Sequence, residues 1–189
     1  MKGAVAVALK EMILKEFNEE MWVKIAKRAG ISPDQVLLPI SNVDENLFQK
    51  VREATLAETG LSDKEIGLKF GEVWVNSFTP RVYGAYYSGH NSAKELLLDL
   101  DRIHVSVTKN VPGATPPRLD YEWQDDQTLI LRYKSHRHMI DYLIGGIYAL
   151  GRKYNEQIEA EKLDESTVKV KFQETSTTNT NQKPLAATR

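Results

Sequence analysis

Apolar residues recur at helical spacing in the opening segment of the chain. Five of them fall on one face of a helix: Val5, Leu9, Met12, Ile13 and Phe17. Lys10 and Glu11 interrupt the segment, which makes it too short for a secretory signal core or a membrane span. The pattern predicts an amphipathic first helix that packs against the rest of the domain.

Capping residues divide the following stretch into further helices. The boundaries are marked by Asn42 or Asp44, by Gly60, and by Ser62 with Glu65 in a capping box. The predicted helices cover residues 19–29, 45–58 and 63–76, and a long one extends from Asn91 or Ser92 to about Lys109. Before the long helix, Pro80 and Gly84 indicate a broken or short helical segment.

The second half of the chain changes to short strands with a helix between them. Gly113, Pro116 and Pro117 exclude regular structure just before residue 118. Two hairpins are predicted, 118–123 with 128–133 and 157–163 with 167–172, separated by a helix over 138–154. The pattern predicts an α+β domain with a small antiparallel sheet. Residues 174–189 contain few large apolar side chains and are expected to form a flexible tail.

Composition and charge exclude several classes of function. The 189 residues suffice for one domain, and 41% hydrophobic and 27% charged residues are ordinary for a soluble globular protein. With 25 basic and 26 acidic residues the formal net charge is −1, which gives no electrostatic basis for binding nucleic acid or an anionic membrane. The absence of cysteine excludes disulfides, thiolate catalysis, iron–sulfur clusters and covalent haem attachment. It also fits a reducing compartment.

His104 is the histidine whose surroundings indicate a chemical role. It lies in an apolar helical segment in which Leu97, Leu100, His104 and Val107 recur at helical spacing, so the imidazole is expected on a buried stripe. A buried imidazole needs partners for its nitrogens. Two interpretations remain open: a core histidine bonded to a backbone carbonyl, and a proximal ligand of haem iron that faces an apolar slot.

A second candidate element is the sequence YKSHR over residues 133–137. In an extended chain Tyr133, Ser135 and Arg137 share one face and offer two hydroxyls and a guanidinium. These groups suit a phosphate or paired carboxylates. The alternative is a strand edge that leads into a helix cap, with Arg137 in solvent.

The order of these elements resembles the haem nitric oxide/oxygen-binding (H-NOX) family, whose members are relatives of the sensor domain of soluble guanylate cyclase. The resemblance rests on His104 in its helix, on GATPPRL over residues 113–119, and on the Y-x-S-x-R element that follows. It covers nearly the whole chain. It implies one haem domain over 1–173, with a helical distal subdomain of about 1–62, a haem-binding subdomain of about 63–173, and non-covalent haem b between them.

The resemblance also implies roles for individual residues. His104 matches the proximal iron ligand, and the three residues of the Y-x-S-x-R element match the clamp on the haem propionates. Pro117 matches the proline that presses on the porphyrin and distorts it from planarity. Gly71 matches a family glycine regarded as a hinge for the distal subdomain, where a missing Cβ eases rotation.

The distal side of the implied haem is expected to select the gas. Tyr142 stands where oxygen-binding members carry a tyrosine that donates a hydrogen bond to bound oxygen. Leu9 and Trp74 replace the residues that orient this tyrosine in such members. Tyr142 is therefore either a donor without its usual support or a core tyrosine turned elsewhere. The other residues expected in the distal pocket are Val5, Phe78 and Gly146.

These features together predict a haem-based sensor of nitric oxide. NO is expected to bind ferrous haem and release His104 from the iron, so that the helical subdomain rotates. CO and O₂ are further candidate ligands, and an oxygen-binding haem protein that uses Tyr142 is the main alternative.

The resemblance also implies the cellular setting. No enzymatic activity is expected, because the chain carries no catalytic domain and lacks the G-x-S-x-G, H-E-x-x-H and P-loop motifs. A separate histidine kinase or cyclic-dinucleotide signalling enzyme is expected to read the signal in the cytoplasm. Nucleic acid and membranes are not expected as partners. A scaffold without cofactor remains the other alternative.

Overall fold

The computed structural model describes residues 3–41, 43–111 and 113–173, and it shows the predicted α+β fold. Helices form the first part, and two hairpins with a helix between them form the second. The predicted tail over 174–189 lies outside the described residues. The elements are α1 (Gly3–Glu16), α2 (Glu19–Ala29), α3 (Glu45–Thr59), α4 (Asp63–Val73), the π-helix π1 (Trp74–Phe78), α5 (Thr79–Tyr87), α6 (Ala93–Thr108), β1 (Arg118–Trp123), β2 (Thr128–Lys134), α7 (Ile140–Tyr154), β3 (Ile158–Lys162) and β4 (Thr167–Phe172).

Local polar contacts begin and end the helices at the predicted positions. The Asp44 side chain accepts a hydrogen bond from a backbone N–H in the first turn of α3, and Gly60, with φ of 69°, ends that helix. Ser62 and Glu65 form the predicted capping box of α4. Ser92 caps α6. These boundaries confirm the prediction. They could be predicted because each cap is formed by residues that are neighbours in the sequence.

The fourth helix differs from the prediction in its last part. The regular α-helix ends at Val73, and the chain continues as π1 instead of as α-helix to Asn76. Phe70, Trp74 and Phe78 stack along this part of the chain, with ring centroids 5.5 and 5.1 Å apart. π-Helical turns are rare and occur frequently at functional sites.

The two hairpins join in one antiparallel sheet of order β1-β2-β4-β3. β4 therefore lies between β2 and β3, and Val168, Val170 and Phe172 alternate along it as buried residues. α7 packs on β3 and β4, and α6 packs on β1 and α7. This arrangement places α6 and α7 beside each other, with the sheet as their support. None of the described helices is long and apolar enough to cross a lipid bilayer.

α4 and α7 cross in direct backbone contact. A Cβ atom on Gly71 would lie 2.1 Å from the carbonyl carbon of Gly145, and one on Gly145 would lie 1.9 Å from the carbonyl oxygen of Gly67. Side chains larger than hydrogen have no room at this crossing. Gly71, the expected hinge, is a close-packing position in this structure.

Candidate functional site

A large apolar cavity is lined by α6, α7, helices of the N-terminal part and the segment before β1. Its empty space is about 1210 Å³, including the part that opens to solvent. The lining residues from α6 and the segment before β1 include Leu97, Leu100, His104, Val107, Pro116 and Pro117. Those from α1, α4, π1 and α7 include Val5, Phe70, Trp74, Tyr142 and Gly146.

His104 lies on the stripe of α6 that the sequence predicted. Leu97, Leu100 and Val107, which recur with it at helical spacing, line the cavity together with the imidazole. The predicted stripe is therefore confirmed, and what it faces is a cavity lined by apolar side chains.

The surroundings of His104 keep its imidazole neutral. Burial lowers the pKa of His104 to about 4, although the carboxylate of Asp101 and the backbone carbonyl of Pro117 act in the opposite direction. The Nδ1 atom has no hydrogen-bond partner among the described residues. A neutral imidazole is the form that binds metals.

Asp101 fixes the segment that carries Pro117 to the helix that carries His104. Its carboxylate accepts hydrogen bonds from Arg118 Nε and Nη2 at 2.9 and 2.8 Å, and from the backbone N–H of Leu119 at 2.8 Å. The sequence analysis missed Asp101. The sequence pattern that could have identified it is an acidic residue one helical turn before His104, together with an arginine directly after Pro116 and Pro117.

Arg137 is buried, with a side chain only 8% exposed, and it lines the cavity. Its Nη1 donates to the carbonyl of Thr115 at 2.7 Å, and its Nη2 donates to Thr115 Oγ1 at 3.0 Å and to Glu45 Oε1 at 2.5 Å. Its Nε has no partner in the part of the chain that the structure describes. The guanidinium is thus held through its two Nη atoms, while its Nε–H remains without a partner.

The other members of the Y-x-S-x-R element take different places. Tyr133 is buried and lines the cavity, whereas Ser135 does not line it and accepts a hydrogen bond from the backbone N–H of Arg137 at 3.3 Å. β2 ends at Lys134, so the alternation of an extended chain stops before Ser135. Lys134 itself is exposed and pairs with Asp120.

Tyr142 is a buried cavity residue whose hydroxyl has no hydrogen-bond partner among the described residues. Burial raises the pKa of Tyr142 above its usual value, and the positive charge of Arg52 acts against burial. The hydroxyl therefore keeps its proton at neutral pH.

The remaining residues of the expected distal pocket divide into two groups. Val5, Trp74 and Gly146 line the cavity. Leu9 is fully buried in α1, and Phe78 stacks on Trp74, but neither is among the residues that line the cavity.

In the described part of the chain, the buried side-chain polar atoms that lack a hydrogen-bond partner belong to residues of the cavity lining. Within the described ranges, the side-chain atoms of this kind are His104 Nδ1, Arg137 Nε and Tyr142 Oη, and all three residues line the cavity. Leaving a buried polar group unpaired costs about 1–3 kcal/mol. A ligand with an iron and carboxylates fits these donors and this apolar lining. The described residues contain no cluster of three or more His, Asp or Glu side chains that could hold a bare metal ion.

Comparisons with known proteins point to a haem-binding family. The sequence matches the model of the family described as Haem-NO-binding over residues 2–162. A search among curated protein sequences finds no match.

The fold is similar to the folds of several solved H-NOX domains. A substituted H-NOX from T. tengcongensis is 26% identical, with a TM-score of 0.77, over 92% of this chain and 98% of that chain. The Cs H-NOX carrying 4-cyano-L-phenylalanine is 25% identical, with a TM-score of 0.79, over 92% of this chain and 97% of that one. An oxygen-binding H-NOX domain related to soluble guanylate cyclases, solved as its oxygen complex, is 24% identical, with a TM-score of 0.76, over 92% and 96%.

Proposed function

Since the chain belongs to the haem-NO-binding, or H-NOX, family, we propose that it is a haem-based sensor of nitric oxide. The observation that carries this proposal is that the buried unpaired polar atoms of the described residues all belong to the lining of one apolar cavity. An imidazole suits an iron, a guanidinium suits a carboxylate, and a phenol suits a small polar ligand. Haem with a bound gas presents all three groups.

The cavity residues suit haem b held without covalent bonds. His104 would bind the iron as a neutral imidazole, the form that its lowered pKa favours. Tyr133 and Arg137, which line the cavity, would hold the propionates, with Arg137 Nε as an available donor, and Ser135 would join them by turning its hydroxyl from the Arg137 backbone towards the cavity. The apolar lining would bury the porphyrin. With no cysteine in the sequence, no thioether bond to the haem can form.

Release of His104 is the proposed switch. Ferrous haem, when bound, would supply an iron able to take NO as a ligand, with His104 as the protein ligand that NO binding would release. Release of His104 would free α6 from the cofactor, and Pro117 would press less on the porphyrin. α7 would pass the displacement to α4 at the crossing near Gly71, and the helical subdomain would rotate.

Oxygen binding is a second candidate function, favoured by Tyr142. Its buried hydroxyl has no partner among the described residues and can donate to a ligand in the cavity. Bound oxygen carries partial negative charge, and one hydrogen bond to it is worth about 0.5–1.5 kcal/mol. One similar solved domain is described as oxygen-binding. We place NO first because Leu9 has no hydrogen-bonding group and the Tyr142 hydroxyl has no hydrogen-bond partner among the described residues that would orient it.

The proposal includes a partner that reads the signal. H-NOX domains are sensor domains rather than catalytic ones, so we propose no enzymatic activity for this chain. We propose a histidine kinase or a cyclic-dinucleotide signalling enzyme in the cytoplasm as the reader, and CO as a further ligand. Nucleic acid and membranes have no part in the proposed function.

Absorption spectra of the reduced protein with and without NO test the proposal. The wild type is expected to bind haem and to form an NO complex. The variant His104→Gly is expected to lose the protein ligand in plain buffer and to regain the ferrous spectrum when free imidazole fills the vacated space. His90→Gly is the matched control, because His90 Nε2 bonds to Asp99 at 2.9 Å and does not line the cavity.

Two results would contradict this assignment. A wild-type protein that takes up no haem would refute the proposed function as a whole. An unchanged ferrous spectrum of His104→Gly without imidazole would show that another residue binds the iron.

A further inference from the structure

Glu45 connects the N-terminal helices to the segment that lines the cavity. It is the first residue of α3, directly after the capping Asp44. Its Oε1 accepts a hydrogen bond from Arg137 Nη2 at 2.5 Å, and its Oε2 lies 2.5 Å from Nε2 of His136. The contact with Arg137 spans 92 residues of sequence. Glu45 and Arg137 therefore meet only in the folded protein.

The carboxylate of Glu45 is a permanent anion in the physiological range. Burial raises its pKa, but the hydrogen bonds from His136 and Arg137 outweigh burial and lower the pKa to about 2. A charged acceptor makes stronger hydrogen bonds to a guanidinium than a neutral one.

The N–H groups of Arg137 fall into two sets: those on the Nη atoms bind protein groups, and the one on Nε has no partner among the described residues. The guanidinium has five N–H groups in a fixed planar arrangement. The Nη1 and Nη2 atoms bind Thr115 and Glu45, and this contact fixes the plane of the group. The Nε–H is left buried and unpaired on a residue that lines the cavity. The arrangement leaves the Nε–H of the guanidinium available to an anion in the cavity.

We propose that Glu45, together with Thr115, is a positioning residue for the carboxylate-binding edge of Arg137. This inference rests on the proposed haem function. Glu45, which is not among the residues that line the cavity, fixes the guanidinium through Nη2 and does not itself touch the cofactor. A propionate then binds at Nε without displacing Glu45, since the two anions use different N–H groups of one cation.

A competing arrangement makes the opposite prediction. If a propionate displaced Glu45 from Arg137, removal of the Glu45 carboxylate would strengthen haem binding instead of weakening it. The direction of the change in the haem dissociation rate therefore separates positioning from competition.

The test is the rate of haem transfer to an apo-acceptor from the full-length protein and its Glu45→Gln variant. Loss of the charged acceptor leaves the guanidinium less fixed, and the rate is expected to rise about tenfold. Glu58→Gln is the matched control: Glu58 also lies on α3 and pairs with an arginine, at 2.5 Å from Arg28 Nε, but away from the cavity. Lys134→Ala is a second control, because Lys134 lies within the Y-x-S-x-R element but is exposed and pairs with Asp120. Neither control is expected to change the rate.

Two further measurements separate positioning from a general effect on the fold. In an Arg137→Ala background the additional change Glu45→Gln is expected to have no further effect on haem loss. With haem dimethyl ester, which lacks carboxylates, Glu45→Gln and wild type are expected to lose the porphyrin at the same rate. Thermal unfolding of the apoproteins shows whether each variant folds.

Each contrary result has a distinct meaning. Slower haem loss in Glu45→Gln would establish competition and overturn the proposal. An equal increase with the esterified haem, or an increase that persists without Arg137, would show a structural effect and overturn it as well. Unchanged haem loss in Glu45→Gln would refute positioning while leaving the haem function intact, whereas a wild type that binds no haem would refute the proposed function itself.

Discussion

Pro117 and His104 line the same cavity from two segments that Asp101 holds together. Asp101 bonds to Arg118 and to the backbone of Leu119, so the chain directly after Pro117 is fixed relative to α6. A pyrrolidine ring in a fixed segment is a rigid contact surface. At the scale of single residues, this geometry supports Pro117 as the residue that presses on the cofactor.

Replacement of Pro117 by alanine is expected to flatten the bound haem, because alanine lacks most of the ring that fills this part of the cavity. The measurement is the out-of-plane displacement of the porphyrin in the crystal structure of the variant. Pro116→Ala changes the adjacent cavity residue and is the matched control. A distortion equal to that of wild type in Pro117→Ala would show that another contact causes it.

Replacement of Tyr142 by phenylalanine is expected to leave NO affinity nearly unchanged. The bond of NO to ferrous iron is intrinsically strong, whereas the phenol offers one hydrogen bond worth about 0.5–1.5 kcal/mol. NO dissociation rates of the two proteins provide the comparison, with Tyr87→Phe as a control at another hydroxyl of the cavity lining. An oxygen complex that is stable in air and disappears in Tyr142→Phe would instead establish the oxygen-binding function.

Residues on one helix could be predicted to share the cavity, but residues joined across the fold could not. Leu97, Leu100 and Val107 accompany His104 because helical spacing alone places them on one stripe. The pairs formed by Glu45 with Arg137 and by Thr115 with Arg137 span 92 and 22 residues, and no local pattern encodes them. The sequence therefore indicated His104 and the Y-x-S-x-R element as candidates, but not Glu45 and Thr115, which bond to Arg137.

At the scale of elements, the crossing of α4 and α7 has no room for side chains at Gly71 and Gly145. Gly145 faces the backbone of α4, whereas a Cβ on the adjacent Gly146 would meet no protein atom within 4 Å. Gly146 lines the cavity. Two neighbouring glycines on one helix thus have different roles, one in packing and one in the space available to a ligand.

Gly145→Ala is expected to destabilise the apoprotein by about 3 kcal/mol or more, because the new Cβ overlaps backbone atoms that cannot move aside. Gly146→Ala is expected to leave stability unchanged or to raise it by up to about 1 kcal/mol through helix propensity, and to slow NO association by narrowing the cavity. Chemical denaturation measures the first effect and flash photolysis the second. Equal stabilities of the two variants would contradict the described crossing.

The ends of most elements could be predicted, but their irregularities could not. Caps such as Ser62 with Glu65 are local patterns and were found in the sequence. The change from α4 to π1 at Trp74 left no local signal, since π-helical turns depend on packing against neighbouring elements. The start of α7 was predicted two residues early because His138 adopts a positive φ of 50°.

At the scale of the whole molecule, the α+β class followed from the order of helices and hairpins, but the sheet order did not. Placing β4 between β2 and β3 requires the second hairpin to return to the first across α7. No sequence pattern indicated that β4, rather than β3, would pair with β2. The cavity likewise results from the joint packing of α1, α4, α6 and α7 and could be inferred only through the family resemblance.

Haem is expected to raise the unfolding temperature of the protein substantially. A ligand present at a thousand times its Kd contributes about 4 kcal/mol. For a chain of this size that corresponds to about 8–16 °C. Scanning calorimetry of apoprotein and haem-loaded protein at equal concentration measures the difference. Identical unfolding temperatures would contradict the cavity as the haem site.

The long sequence separation between Glu45 and Arg137 has a consequence for when the site is completed. His104 precedes Arg137 by 33 residues, and ribosomes add about 5–20 residues per second, so roughly 2–7 s separate the synthesis of these two residues. During that interval the growing chain contains the proposed iron ligand but not the guanidinium that holds the propionates. Glu45 is synthesised earlier still, so a longer interval separates its synthesis from that of Arg137. Stable haem capture is therefore expected only after Arg137 has been synthesised, late in the production of each molecule.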